Sequence, residues 1–197
     1  MPTDTILCWK TTLKPPRQHI LVSDYTTWKT QGESVKTELA TFVRERLKER
    51  YIDPVTALDP QGKNGFAIMA LSCLLMETLE SFYQGWAKSP DSARAFCYFF
   101  DRHRRFDMFR GYSQEFYKNV RCGILHQGET TSGWTITRNE KHQLFDPSVP
   151  RIHATKFHNR MALCVEDYSA QLAAKPIADD LWVKFFKKMD ATIRSIG

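Results

Sequence analysis

The segment from Asn64 to Gly85, NGFAIMALSCLLMETLESFYQG, constrains the fold of this chain more than any other. Wound as a helix it is apolar on most faces, and such a helix belongs at the centre of a domain with other elements packed around it. Asn64 is a suitable N-cap. The run is a poor membrane span. Its most apolar part, Phe66 to Met76, contains Ser72 and is followed by Glu77 and Glu80, short of the roughly 20 apolar residues required. Glu77 stands out within it. A carboxylate taken out of water without a partner costs on the order of several kcal/mol, which leaves two arrangements open. Either Arg121 pairs with Glu77 and is oriented by it, or Glu77 lies at a boundary in water or bonds Ser81.

The other periodicities predict a mainly α fold: a helical bundle with a small β-hairpin and an extended N-terminal arm. Glu33 to Tyr51 carries a stripe of Val35, Leu39, Phe42, Val43 and Leu47. Asp91 to His103 reads as a further helix after a turn at Ser89 and Pro90. Thr155 to Ala174 and Ile177 to Ile196 read as two closing helices split by Pro176. Residues 1–32 hold two β-rich runs, Thr5 to Leu13 and His19 to Trp28, on either side of Pro15 and Pro16. They are expected as an arm or short hairpin outside a bundle formed by 33–197. Asp53 to Gly62 is a turn-rich connector, and Gly133 to Arg138 with His142 to Phe145 alternates as a hairpin would. A chain of 197 residues, 42% of them apolar, suits one domain with a substantial core.

Five widely spaced cysteines, at 8, 73, 97, 122 and 164, fit reduced thiols better than a disulfide framework. The start of the chain lacks the basic and apolar regions of a secretory signal, so the expected address is cytoplasmic. The formal charge of +6 would assist contact with a polyanion without identifying one. Local density says more. Arg102, His103, Arg104, Arg105 and Arg110, opposed by Asp101 and Asp107, form a candidate phosphate-tracking patch, to which Lys118 adds a charge. A plain solvated surface is the competing reading. His153 and His158 lack the spacing of a strong metal site and are expected at the surface, His19 and His142 have no ligating neighbours, and QGKNG at 61–65 lacks the flanks of a phosphate loop. No metal or cofactor is expected. The aromatic residues from Phe96 to Phe106, and Trp134, are expected mostly in the core.

The segment YKNVRCGILHQGE, Tyr117 to Glu129, concentrates the chemistry. Phe116, Val120 and Ile124 recur every four residues, which predicts an amphipathic helix over Ser113 to Gln127, with Ser113 as N-cap and Gly128 at the C′ position. At about 100° per residue, Arg121 and His126 stand about 140° apart, both off the core stripe, with Lys118, Cys122 and Leu125 between them. Cys122 and Leu125 are poor choices for solvent. A second element, from this chain or a symmetry mate, is therefore expected to cover that face. A thiolate paired with a histidine is conceivable at Cys122, but a small interface residue is the simpler reading.

This segment resembles the R-x4-6-H motif of the HEPN superfamily, and the long apolar helix before it and the paired helices after it are similar in character to that fold. The resemblance implies an all-helical domain and a metal-independent endoribonuclease acting on RNA as a homodimer. It makes Arg121 and His126 the catalytic pair, with a 2′,3′-cyclic phosphate product; Glu77, as the candidate partner of Arg121, and the adjacent Cys122 are the candidate supporting residues. The setting it implies is a toxin or phage-defence system, in which an antitoxin could be a partner. The residue after the arginine is often asparagine in that family and is Cys122 here. The competing class is a non-catalytic helical module that binds RNA, a nucleotide or a protein partner.

Overall fold

The N-terminal stretch pairs two short strands, β1 (Ile6–Cys8) and β2 (Ile20–Leu21), antiparallel, with Ile6 opposite Leu21 and Cys8 opposite Ile20. Residues 4–9, 12, 13, 19–58 and 62–196 are described in this computed structural model; Pro15, Pro16 and Gln61 lie outside the described residues. The second β-rich run departs from expectation, because Val22–Gln31 forms a helix, α1. Two effects override its β propensity. Asp24 accepts a hydrogen bond from Leu21 N at 2.9 Å and so caps the first turn. Tyr25 is buried, its hydroxyl donating to Asp190 at 2.9 Å. Leu7, Cys8 and Ile20 are fully buried, so this stretch packs into the core rather than extending as an arm.

Helix α2 (Lys36–Leu47) buries Leu39, Phe42, Val43 and Leu47 as its stripe predicts, then widens into a π turn over Lys48–Ile52 and a short α3 (Asp53–Thr56). The apolar segment forms α4 (Gly65–Gln84), which ends at Gly85 in the left-handed region. By length and composition α4 could cross a membrane, but 61% of its most apolar window is buried inside the protein. Helix α5 (Ser92–Arg102) starts at Asp91, whose side chain accepts from Arg94 N at 3.1 Å. A 3-10 stretch over Arg104–Tyr112 then runs into α6 (Ser113–Phe116), so Ser113 is not a helix-starting cap; its hydroxyl lies 3.3 Å from Cys97 Sγ. The closing helices are α7 (Ala154–Ala174) and α8 (Asp180–Ile196).

The expected hairpin after the motif is instead part of a three-stranded sheet. Strand β5 (Arg151–His153) lies between β3 (Thr135–Thr137) and β4 (Phe145–Asp146), parallel to the first and antiparallel to the second. Neighbouring runs do not pair with each other, because the strand that fits between them comes later in the chain.

The chain divides into two compact units. The first comprises Met1–Asp53, Ser81–Lys88 and Val165–Gly197, and the second Pro54–Glu80 and Ser89–Cys164. In the first, Tyr25, Phe42, Phe82, Tyr168, Trp182 and Phe185 form an aromatic core. Arg46 is buried there, its guanidinium donating to Leu7 O, and burial lowers its pKa to about 10. In the second, Phe96, Phe100, Phe109, Phe116, Phe145 and Phe157 interlock with Trp134, so most of these aromatics are core as predicted. The second unit carries the motif.

Candidate active site

The motif segment is helical, but not an α-helix throughout. After α6, Tyr117–Gln127 is wound as a π-helix, and its terminal bond runs from Gly128 N to Gly123 O, five residues back. The returning chain adds further hydrogen bonds to carbonyls of this wide winding. Glu129 N donates to Gly123 O at 3.3 Å, and Thr131 N to Asn119 O at 3.0 Å. Thr131 Oγ1 donates to Asn119 Oδ1 at 2.9 Å, satisfying a side chain only 5% exposed. Gly123 makes this possible, since a Cβ there would sit 2.5 Å from Glu129 O. Gly128 takes the left-handed conformation, φ 67°, that its C′ position requires.

The winding changes the geometry of the pair. A turn now holds more than four residues, so residue i+5 comes back close over residue i. His126 therefore follows Arg121 by little more than one turn, rather than standing about 140° away as in an α-helix.

Arg121 is a fixed group. Its Nε donates to Glu77 Oε1 at 3.1 Å and its Nη2 to Glu77 Oε2 at 3.3 Å, a two-pronged grip with side chains 16% and 17% exposed. Of the two arrangements open to Glu77, the arginine pair is the one found. The Tyr117 ring, four residues earlier, lies 5.6 Å from the guanidinium carbon. Burial works against the Arg121 charge, but the Glu77 carboxylate outweighs it and raises the pKa above the usual arginine value. Burial first, and the neighbouring Cys122 thiol second, push the Tyr117 hydroxyl up. Beneath them Cys73 is buried, and burial followed by the Glu77 charge holds its thiol protonated. Lys118, Leu125 and His126 are exposed and Cys122 is half-buried.

The basic patch separates into two kinds of residue. Arg102 grips Glu80 through Nε at 3.2 Å and Nη2 at 2.9 Å, and Glu80 is fully buried. Arg110 donates to Phe100 O and Asp101 O and pairs with Asp107 at 3.1 Å. These two arginines serve their own chain. Arg104 and Arg105, like Lys118, are exposed.

His153 and His158 are corrections to the sequence reading, since both are buried. Ser72 Oγ donates to Ile68 O at 2.8 Å, so the 2.9 Å contact with His158 Nδ1 has the ring as donor. The i to i+4 spacing of Tyr117 and Arg121 was visible in the sequence as a signal for their contact. Nothing in the sequence joined Ser72 to His158. Comparison with protein families, with curated proteins and with solved structures finds no match to this chain.

Proposed function

We propose that this chain is a metal-independent endoribonuclease that acts as a homodimer. One observation carries the reading: Arg121 is clamped by both oxygens of Glu77 while His126 stands exposed little more than one π turn further on. RNA brings its own nucleophile. Attack of the 2′-hydroxyl on the adjacent phosphorus expels the 5′-oxygen and leaves a 2′,3′-cyclic phosphate. His126 takes the 2′-hydroxyl proton, and His126 of the partner subunit returns one to the departing oxygen. Arg121 stabilises the charge that builds on the non-bridging oxygens. Nη1 takes no part in the grip on Glu77, and its N–H groups are proposed to meet the phosphate. Leu125, 45% exposed beside His126, supports a second copy seated on this face. A cytoplasmic toxin or phage-defence nuclease restrained by an antitoxin is the setting that fits such an activity.

RNA cleavage in EDTA tests the reading. Wild type should cut, and His126→Ala and Arg121→Ala should lose on the order of 10²–10⁴-fold in rate. Glu77→Gln, which keeps the shape and loses the charge, should lower kcat with little change in KM. Equal cutting by wild type and the two alanine variants rejects the proposal.

The burial of Arg121 and the compensation of its charge by Glu77 favour a second reading, a non-catalytic helical module in which the pair ties two helices together. In that case Arg121→Ala lowers the melting temperature, and neither it nor His126→Ala changes any RNA cleavage or binding.

A further inference from the structure

At the N-terminal end of α4 lies a cavity of about 450 Å³, lined by Lys63, Gly65, Phe66, Ile136 and Arg138 among others. Close packing sets one wall, since a Cβ on Gly65 would lie 2.9 Å from Ile136 Cγ2. Arg138 is held in place by Thr155 Oγ1 at 3.2 Å and by Gly62 O. Lys63 is exposed. Phe66 leaves 37% of its surface uncovered, although it belongs to the most apolar helix of the chain. An open aromatic ring, an ammonium and a guanidinium around a cavity of this size suit a nucleotide, with the base on the ring and the phosphate at the cations.

Its position relates it to the motif. Phe66 and Glu77 are eleven positions apart on α4, so at 100° and 1.5 Å per residue they lie about 20° apart around the helix and about 16 Å apart along it. Phe66, Ala67 and Leu74 are exposed and Ala70, Leu71 and Glu77 half-buried, so this is the open face of the helix. A single strand whose scissile phosphate sits at Arg121 would reach the cavity after about five stacked nucleotides, at 3.4 Å each.

We propose that this cavity is a nucleotide subsite that holds the RNA strand away from the cut. The assignment rests on the ribonuclease reading for the substrate, but the binding it predicts requires no cutting. The test therefore uses His126→Ala protein. Its affinity for a mixed-sequence single-stranded RNA of twelve nucleotides is measured by fluorescence anisotropy, alone and with Lys63→Glu or Phe66→Ala added. Both positions are accessible, and unchanged melting temperatures establish that the variants fold. Each added change should weaken binding about tenfold, and Phe66→Tyr, which keeps the ring, should not. Equal affinity across the set overturns the subsite whether or not wild type cuts RNA. Weakened binding by the added changes, together with a wild type that cuts nothing, leaves the subsite standing and removes the nuclease. Tighter binding of adenosine monophosphate than of the twelve-nucleotide RNA at Lys63 makes a free nucleotide the ligand, and the strand subsite falls.

Discussion

Two glycines of the motif segment do different work. At Gly123 the returning chain passes so close that an added Cβ would meet Glu129 O at 2.5 Å, and the obstacle is backbone, which cannot swing aside. At Gly128 nothing lies within 4 Å, and only the left-handed φ of 67° disfavours a side chain. Gly128→Ala should therefore cost about 1 kcal/mol. Gly123→Ala should cost more, on the order of 2–3 kcal/mol, and should disturb the wide winding itself. Urea unfolding of both variants checks the order; equal losses would mean that the close approach is not what holds the segment. The clamp on Arg121 was foreseeable as one of two arrangements, because an apolar helix gives Glu77 few alternatives. The packing around Arg121 decided between them.

Among the elements, the long helices were legible because their apolar spacing is strong and their ends carry usable signals, such as Asp91 before α5 and Gly85 after α4. Elements that depend on distant partners were not. Helix α1 reads as a strand by composition and forms because Tyr25 and Asp24 find partners. Likewise β5 inserts between two strands that precede it. At the end of β5, His153 is buried, and burial holds its pKa below the ordinary histidine value against a smaller opposing effect of Glu140, whose Oε1 lies 3.7 Å from Nε2. Its Nδ1 accepts from Lys156 N at 3.2 Å, which puts the proton of the neutral ring on Nε2. The sign of the pH effect follows. Below about pH 6.5 the unfolded chain protonates this ring before the folded one does, so stability is full above that pH and falls as the pH drops toward the lower folded value. Melting temperatures from pH 8 to pH 5 should show this loss, and His153→Gln should lack that part of it.

For the molecule as a whole, the excess of positive charge acts through residues that reach solvent. If RNA is the ligand, replacing exposed Arg104, Arg105 and Lys118 together by alanine should flatten the dependence of log affinity on log salt by about 2, near 0.7 for each phosphate that is no longer neutralised. Arg102→Ala should leave the slope nearly unchanged and instead lower stability by about 1–3 kcal/mol, because a fully buried Glu80 loses its guanidinium. A titration in which Arg102→Ala flattens the slope as much as the triple variant would place Arg102 on the RNA. By itself the sequence determined a mainly helical fold, the long helices and the side-chain chemistry available at Arg121 and His126. These depend on short-range periodicity and on side-chain type, which are local properties. Only the tertiary structure decided that the motif winds as a π-helix, that Glu77 clamps Arg121, that Arg102 is committed to Glu80 and that His153 and His158 are interior. The pairs Arg121–Glu77, Arg102–Glu80 and Ser72–His158 join groups far apart in the chain, and such pairings leave no trace in local spacing.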